Sequence, residues 1–349
     1  MLDAREVVVF AAATACKAWE PLAVAMSQQQ RTADAPPFAM LLVACEAVKL
    51  VSAVAALLVL QCTCRGIWSV LTFRCAASAV LLAVCNHCLG FALHRIDALL
   101  YQVVFKAISV AGVAICSRLI LQHRIRGVQY ASLAALFVGM HLCVEQPPST
   151  SADVDGREWA AGLWACILGS LALAVSAVLF EGATQAKPGS CLQHVAAYAL
   201  LGLAANTLAL CVMHWQLMTT HPARATGGMG ACDAIATLSI AAADATMAVF
   251  VSWFSANVYS FSRALALLLS GLISTLALGQ SLSARFMVGA VAVTMSAWIY
   301  REHERSAACA GAAMTWSWGS RPSRAASCLQ SDGRRLASYA LVPVDPDPE

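Results

Sequence analysis

Charged side chains stand inside several long apolar stretches of this sequence, where an ionised group is costly unless it faces a protein interior or an aqueous cavity. Glu46 and Lys49 are three positions apart, so on a helix they share one face and can pair. This spacing fits an interhelical ion pair that fixes packing, and it also fits a charged cavity wall in a substrate site or gate. The apolar stretches hold further ionisable residues, namely Lys17, Glu20, Lys106, Glu181, Asp244 and Arg263.

Lys106 and Arg263 are cations in the middle of apolar stretches, and neither has an acidic residue within one helical turn. A phosphate on a substrate would supply the missing negative charge, since arginine can hold phosphate through two parallel hydrogen bonds. The alternative is that Asp244 or Glu181 reaches these cations from another helix. We favour the substrate phosphate.

Polar side chains near these cations could stack on, or form hydrogen bonds with, a base or a sugar. A buried amide without a partner costs free energy, so Asn86 requires either a neighbour or a ligand. Tyr101 is equally compatible with ordinary packing. The predicted substrate-binding residues are Lys106, Arg263, Asn86, Tyr101, Gln102, Glu46, Lys49 and Tyr259, with no catalytic residue and no metal ligand.

The elements that carry these residues follow from composition and hydropathy. The chain has 349 residues, of which 60% are hydrophobic and 12% charged, whereas soluble domains carry roughly 25% charged residues. Lipid must therefore form part of the solvent. A bilayer-spanning helix needs roughly 20 mainly apolar residues, which predicts an all-α polytopic membrane protein with ten transmembrane helices. The spans are predicted at 6–27, 38–60, 69–92, 98–121, 128–145, 159–182, 193–217, 232–254, 257–279 and 284–300.

A weak internal symmetry relates the two parts of the chain. A shift of about 157 residues places Lys106 on Arg263 and Glu145 on Glu302. Many transporters consist of two inverted repeats with the substrate site at their interface. We therefore predict one five-helix repeat at 1–146, a second, inverted repeat at 147–300 and a disordered cytosolic tail at 301–349. The distribution of loop Lys and Arg favours cytosolic termini.

Enzymatic and nucleic-acid-binding functions find little support. The sequence has no P-loop, no G-x-S-x-G and no H-E-x-x-H motif, so we expect neither catalysis nor ATP-driven pumping, and no cofactor. Its net charge of +3 is spread singly, without the basic patch that binds nucleic acid. Most of the 15 cysteines lie in apolar segments, where they act as small hydrophobic residues.

Several segments resemble nucleotide-sugar transporters. LLVACEAVKLVSAVAALLVL at 41–60 looks like their Glu-x-x-Lys second helix. The stretch 85–110 is similar to their Q-N-N-L…L-D-A-x-x-Y-Q-V-T-Y-Q-x-K signature, and segments 129–146, 162–182 and 257–300 are similar to later helices of the family. The signature matches at unbroken spacing at Asn86, Asp97, Ala98, Tyr101, Gln102 and Val103.

The resemblance implies the drug/metabolite transporter fold and a multi-pass carrier of the Golgi membrane, with the endoplasmic reticulum as the alternative. Such carriers exchange a cytosolic nucleotide sugar for a luminal nucleoside monophosphate. This branch of the family handles UDP-galactose, UDP-N-acetylglucosamine and CMP-sialic acid. The expected partners are therefore these ligands and the lipid bilayer, with homo- or hetero-oligomerisation left open and no nucleic acid.

The sequence also departs from the family pattern. Ile108 occupies the place of the signature lysine, and the lysine of this chain stands two residues earlier, at Lys106. His87 replaces the second family asparagine, and 258–260 lacks the Asp-Asn pair that precedes the position of Arg263. These departures leave two alternatives open, which are a carrier of another small anionic metabolite and a non-transporting membrane partner of the glycosylation machinery.

Overall fold

Helices account for almost all of the regular structure in the computed structural model of the chain. The structure describes residues 4–30, 37–59, 66–96, 98–122, 127–142, 156–186, 190–215, 219, 230–278, 284–285, 287–289, 291–296, 298–300 and 303. Among these residues no strand occurs. The predicted tail at 301–349 lies outside them except for His303, and the C-x-C at Cys62 and Cys64 lies outside them entirely.

Each predicted span coincides with helical residues. Beyond the last complete helix, 287–289 and 291–296 are also helical. The complete helices are α1 (Ala4–Gln30), α2 (Phe38–Val59), α3 (Gly66–Val70), α4 (Phe73–Leu93), α5 (Ala98–Ile120), α6 (Gly127–Leu142), α7 (Gly156–Ala186), α8 (Cys191–Met213), α9 (Ala231–Trp253) and α10 (Ala256–Leu278).

The third predicted span, 69–92, begins differently in the structure. Thr72 adopts an extended conformation, and its hydroxyl oxygen accepts a hydrogen bond from the backbone N–H of Cys75 at 3.2 Å. This N-cap satisfies a donor at the start of α4. It therefore separates α4 from the short helix α3, which hydropathy alone had joined to it.

Five of the described helices are long and apolar enough to cross a membrane: α2, α4, α7, α8 and residues 231–252 of α9. Large apolar side chains also remain exposed on these helices, including Val51, Trp164, Leu208 and Leu238, each more than half exposed. An outward-facing apolar surface is what lipid solvates. These observations agree with the predicted polytopic membrane protein.

The seam between α4 and α7 is built from small side chains. The hydroxyl of Ser78 donates to the carbonyl of Ser176 at 2.8 Å, and the hydroxyl of Ser176 donates to the carbonyl of Ser78 at 2.8 Å. A Cβ atom on Gly169 would lie 2.9 Å from the Cβ of Cys88. Such small residues let membrane helices approach closely and form hydrogen bonds across their interface.

The helices of residues 1–297 pack in a regular set of pairs. α1 contacts α9 and α10, α4 contacts α7 and α8, α2 contacts α8 and α9, and α5 contacts α7 and α10. Residues 298–349 form a second unit, in which 298–300 are helical and a ring nitrogen of His303 lies 3.0 Å from the carbonyl of Ile299. The first unit holds all the predicted binding residues.

Close approach of α5 to α7 gives a stability prediction. Gly112 lies so near α7 that an added Cβ would stand 2.8 Å from the Cβ of Ala174. A Gly112→Leu substitution should force the helices apart and destabilise the protein by about 1–3 kcal/mol, the usual cost of overpacking. Thermal unfolding in detergent measures this loss. Gly156→Leu is the matched control, because a Cβ there has no neighbour within 4 Å, and an equal loss in both variants would contradict the prediction.

Candidate functional site

A small cavity of about 30 Å³ lies among α1, α4, α5, α7, α9 and α10. Most of the helices that surround it contribute a charged or polar side chain, and leucines and aromatic rings complete the wall. It is lined by Lys17, Glu20, Pro21, Leu82, Cys85, Asn86, Leu89, Tyr101, Phe105, Lys106, Leu173, Asp244 and Arg263.

Asp244 of α9 joins three other helices through its carboxylate. Oδ1 lies 3.5 Å from the ammonium of Lys17 on α1, and Oδ2 lies 3.2 Å from the ammonium of Lys49 on α2. The side-chain amide of Asn86 on α4 donates to the same Oδ2 at 3.2 Å. Asp244 is 1% exposed, so these three donors replace the water that a carboxylate otherwise requires.

Each of the two lysines also has an acid on its own helix. Lys17 lies 2.8 Å from Glu20, and Lys49 lies 2.7 Å from Glu46, both at a spacing of three residues. The predicted Glu46–Lys49 pair therefore exists. The same arrangement on α1 was not predicted as part of the site. The charge network formed by Lys17, Glu20, Glu46, Lys49 and Asp244 has two positive and three negative groups.

Glu46 is fixed by packing as well as by charge. A Cβ atom on Gly202 of α8 would lie 2.7 Å from the carboxylate carbon of Glu46. A larger residue at position 202 would displace the carboxylate from its present place. Oε2 of Glu46 has no hydrogen-bond partner among the described residues, and the side chain is absent from the cavity wall. Glu46 and Lys49 thus lie behind the cavity and reach it through Asp244.

Arg263 of α10 is surrounded mainly by neutral groups. It is 3% exposed, and its guanidinium donates to the hydroxyl of Ser109 on α5 at 3.0 Å. The guanidinium carbon lies 4.8 Å from the ring centroid of Phe105 and 6.0 Å from that of Tyr259. Nε of Arg263 and the hydroxyl of Tyr259 lack hydrogen-bond partners in the part of the chain that the structure describes.

Neither acid considered in the sequence analysis pairs with Arg263. Asp244 binds the two lysines and Asn86, as described above. Glu181 accepts hydrogen bonds from the backbone N–H of Ala256 at 2.9 Å and from the side chain of Gln185 at 3.0 Å. Among the described residues, no carboxylate lies within 4.0 Å of the guanidinium of Arg263.

Lys106 lies on α5 and lines the same cavity as Arg263. It is 3% exposed, and its backbone carbonyl accepts the hydroxyl of Ser109 at 3.1 Å, so Ser109 touches both cationic residues. The lysine reaches the cavity even though it stands two residues before Ile108. Position 106 therefore supplies the basic side chain that α5 contributes to the cavity wall.

The predicted residues fall into three groups. Asn86, Tyr101, Lys106 and Arg263 line the cavity, and the ring of Tyr259 lies beside Arg263. Glu46 and Lys49 form the ion pair behind it. Gln102 belongs to α5, but its side chain lies outside the described residues.

Sequence reasoning missed part of the cavity wall. Lys17, Glu20 and Asp244 were recognised as charges within apolar segments but were not assigned to the site, and Phe105 was not considered. One signal was available, because Lys17 and Glu20 repeat the three-residue spacing of Glu46 and Lys49. No local signal marks Asp244, whose partners lie on distant segments.

Comparisons with known proteins give a family match and a structural match. A family model described as nucleotide-sugar transporter matches residues 41–301. A search of the curated proteins finds no match. One solved structure, described only as the crystal structure of a protein, superimposes with a TM-score of 0.63 and 14% sequence identity, covering 86% of this chain and 99% of that chain. At this identity the superposition shows a shared fold.

Removal of the Asp244 charge tests the charge network. Asp244→Asn should leave both lysine ammonium groups without a shared acid, and breaking a buried pair in this way costs about 3–5 kcal/mol. Thermal unfolding of the purified variant should reveal a large loss of stability. Glu158→Gln is the control, because Glu158 is an exposed acid in the first turn of α7. Equal stability of the two variants would show that Asp244 does not hold the helices together.

Proposed function

The chain belongs to the nucleotide-sugar transporter family, and from that premise we propose that it exchanges a cytosolic UDP-sugar for a luminal nucleoside monophosphate by alternating access. UDP-galactose and UDP-N-acetylglucosamine are the proposed cargoes, and the Golgi membrane is the proposed location. Because the proposed activity moves a ligand without changing its bonds, no catalytic residue is required.

The buried guanidinium of Arg263 is the observation that carries this proposal. A charge at 3% exposure with a hydroxyl and two aromatic rings around it lacks the compensation that buried charges normally have. A phosphate oxygen would supply both the negative charge and acceptors for the guanidinium. Lys106 lines the same cavity and can contribute to the same phosphate.

An exchange mechanism follows from the chemistry of the two ligands. A UDP-sugar and a nucleoside monophosphate share a nucleoside and a phosphate bound to it, so one pair of cations can hold either ligand in turn. Because an empty cavity leaves Arg263 without an anion, the loaded forms are favoured over the empty form. This difference favours exchange over movement of a single ligand.

The helix contacts support two structurally equivalent halves, because each of the following contacts has a counterpart when the halves are interchanged. Let α1 correspond to α7, α2 to α8, α4 to α9, and α5 to α10. Replacing each helix by its counterpart then turns the contact of α1 with α9 into the contact of α7 with α4. Likewise, α5 with α7 becomes α10 with α1, and α4 with α8 becomes α9 with α2. The pairs α2 with α8 and α5 with α10 map onto themselves, and all these contacts are present.

This correspondence is what we expect for the proposed repeats at 1–146 and 147–300. Five spans in each half would give the second half the opposite orientation in the membrane. Rocking of one half against the other would then expose the central cavity first to one side and then to the other. The ten-span topology with cytosolic termini is part of this proposal.

Substitution of Arg263 tests the proposed function directly. Arg263→Ala should reduce UDP-sugar uptake into liposomes preloaded with UMP by about 100-fold or more, since an interaction with a charged group contributes roughly 1.5–3 kcal/mol and the phosphate loses two such bonds. Arg263→Lys should recover part of the uptake, because it keeps the charge but loses the paired donors. Arg118→Ala is the matched control, since Arg118 is an exposed arginine that donates to Tyr130.

The assay also distinguishes the alternatives. Uptake that is the same with UMP, CMP, GMP or no nucleotide inside the liposomes would contradict exchange. Absence of uptake for every nucleotide sugar, together with a folded protein, would favour a carrier of another anion or a non-transporting partner. Both results are read against the Arg118→Ala control and the unmodified chain.

A further inference from the structure

The cavity wall holds two acidic side chains, and they differ in how many donors they already have. Glu20 and Asp244 both line the cavity, but the side chain of Glu20 retains 8% exposure whereas that of Asp244 retains 1%. Asp244 is also occupied by three donors. Glu20 accepts from Lys17 alone among the described residues, so of the two acids it has more acceptor capacity left for a ligand.

The positive charge next to Glu20 is already compensated. The ammonium of Lys17 lies 2.8 Å from Glu20 and 3.5 Å from Asp244, so it has two acidic partners. The charge network as a whole carries one more negative group than positive groups. A ligand that approaches from the cavity therefore meets an acidic side at α1 and α9, and a basic side at α5 and α10, where Lys106 and Arg263 stand.

A proline stands beside the acid on helix α1. Pro21 directly follows Glu20 and also lines the cavity. Proline has no N–H, so it cannot donate the helical hydrogen bond to the carbonyl of Lys17, four residues earlier. Pro21 thus adds no hydrogen-bond donor to the acidic side of the cavity.

We propose that Glu20 selects the sugar part of the ligand, accepting an uncharged sugar with free hydroxyl groups and rejecting a sugar that carries a carboxylate. This inference rests on the proposed function, because it assumes that the phosphate of a nucleotide sugar lies against Lys106 and Arg263. The sugar extends from that phosphate toward the acidic side. Its hydroxyls donate to the Glu20 carboxylate, whereas a sugar carboxylate would meet a like charge in a desolvated site.

UDP-glucose and UDP-glucuronate form a matched pair for this test, because they differ only in a hydroxymethyl group and a carboxylate on the sugar. The assay is exchange of radiolabelled UMP into liposomes preloaded with unlabelled UMP, with each UDP-sugar as competitor. In the unmodified chain, the concentration of UDP-glucuronate that halves UMP exchange should be at least about ten times that of UDP-glucose, because juxtaposed like charges cost free energy. Glu20→Gln should lower this ratio of half-inhibiting concentrations to about three or less.

Glu46→Gln is the matched control. Glu46 has the same spacing from its lysine as Glu20 and belongs to the same network, but it does not line the cavity. Its variant should keep the ratio of the unmodified chain, whatever its rate of exchange. A ratio that falls equally in Glu46→Gln and Glu20→Gln would assign selectivity to the charge of the network rather than to Glu20, and would overturn the proposal.

The two proposals fail in different ways. If no UMP exchange occurs in the unmodified chain, the proposed function fails, and this inference fails with it. If UMP exchange occurs but UDP-glucose and UDP-glucuronate compete equally, the selectivity is overturned while the transport function stands. That comparison needs only the unmodified chain, so it remains decisive even if Glu20→Gln does not fold.

Discussion

A carboxylate buried among apolar helices has to find its hydrogen-bond donors within the protein, and for Asp244 those donors come from α1, α2 and α4. The lysines among them are buried too, and each carries its own acid three residues away. The partners of Asp244, by contrast, all lie on other helices. Correct charge pairing therefore requires that four helices meet at one depth, and this requirement places the cavity beside them.

The cavity gains its polarity from the same arrangement. Acids outnumber lysines in the charge network. On the other side of the cavity, α5 contributes Lys106 and α10 contributes Arg263. Among the described residues, Arg263 forms no ion pair. A ligand with a phosphate at one end and hydroxyls at the other matches this distribution of charge. Membership of the nucleotide-sugar transporter family agrees with such a ligand. The same buried charges that join the helices are thus the ones that suit the proposed ligand.

Sequence reasoning located the helices well because lipid imposes a simple length and hydropathy on each span. It erred at Thr72, since an N-cap is a local hydrogen bond that hydropathy does not register. The Glu46–Lys49 pair was accessible from a spacing of three residues. The role of Asp244 was not, because its lysine partners stand 227 and 195 positions away and only tertiary packing brings them together. The hydrogen bond between Arg263 and Ser109 was likewise inaccessible from the sequence, because the two residues stand 154 positions apart.

The reciprocal serine hydrogen bonds between α4 and α7 have a counterpart in the contact of α1 with α9, which the exchange of halves relates to it. That counterpart is joined by the Lys17–Asp244 ion pair and by the hydroxyl of Ser27, which donates to Asp233. Separating the first contact frees neutral hydroxyls, whereas separating the second frees opposite charges. Under the proposed rocking, opening the contact of α1 with α9 would separate paired ions, whereas opening the contact of α4 with α7 would not, so the two openings would differ in cost.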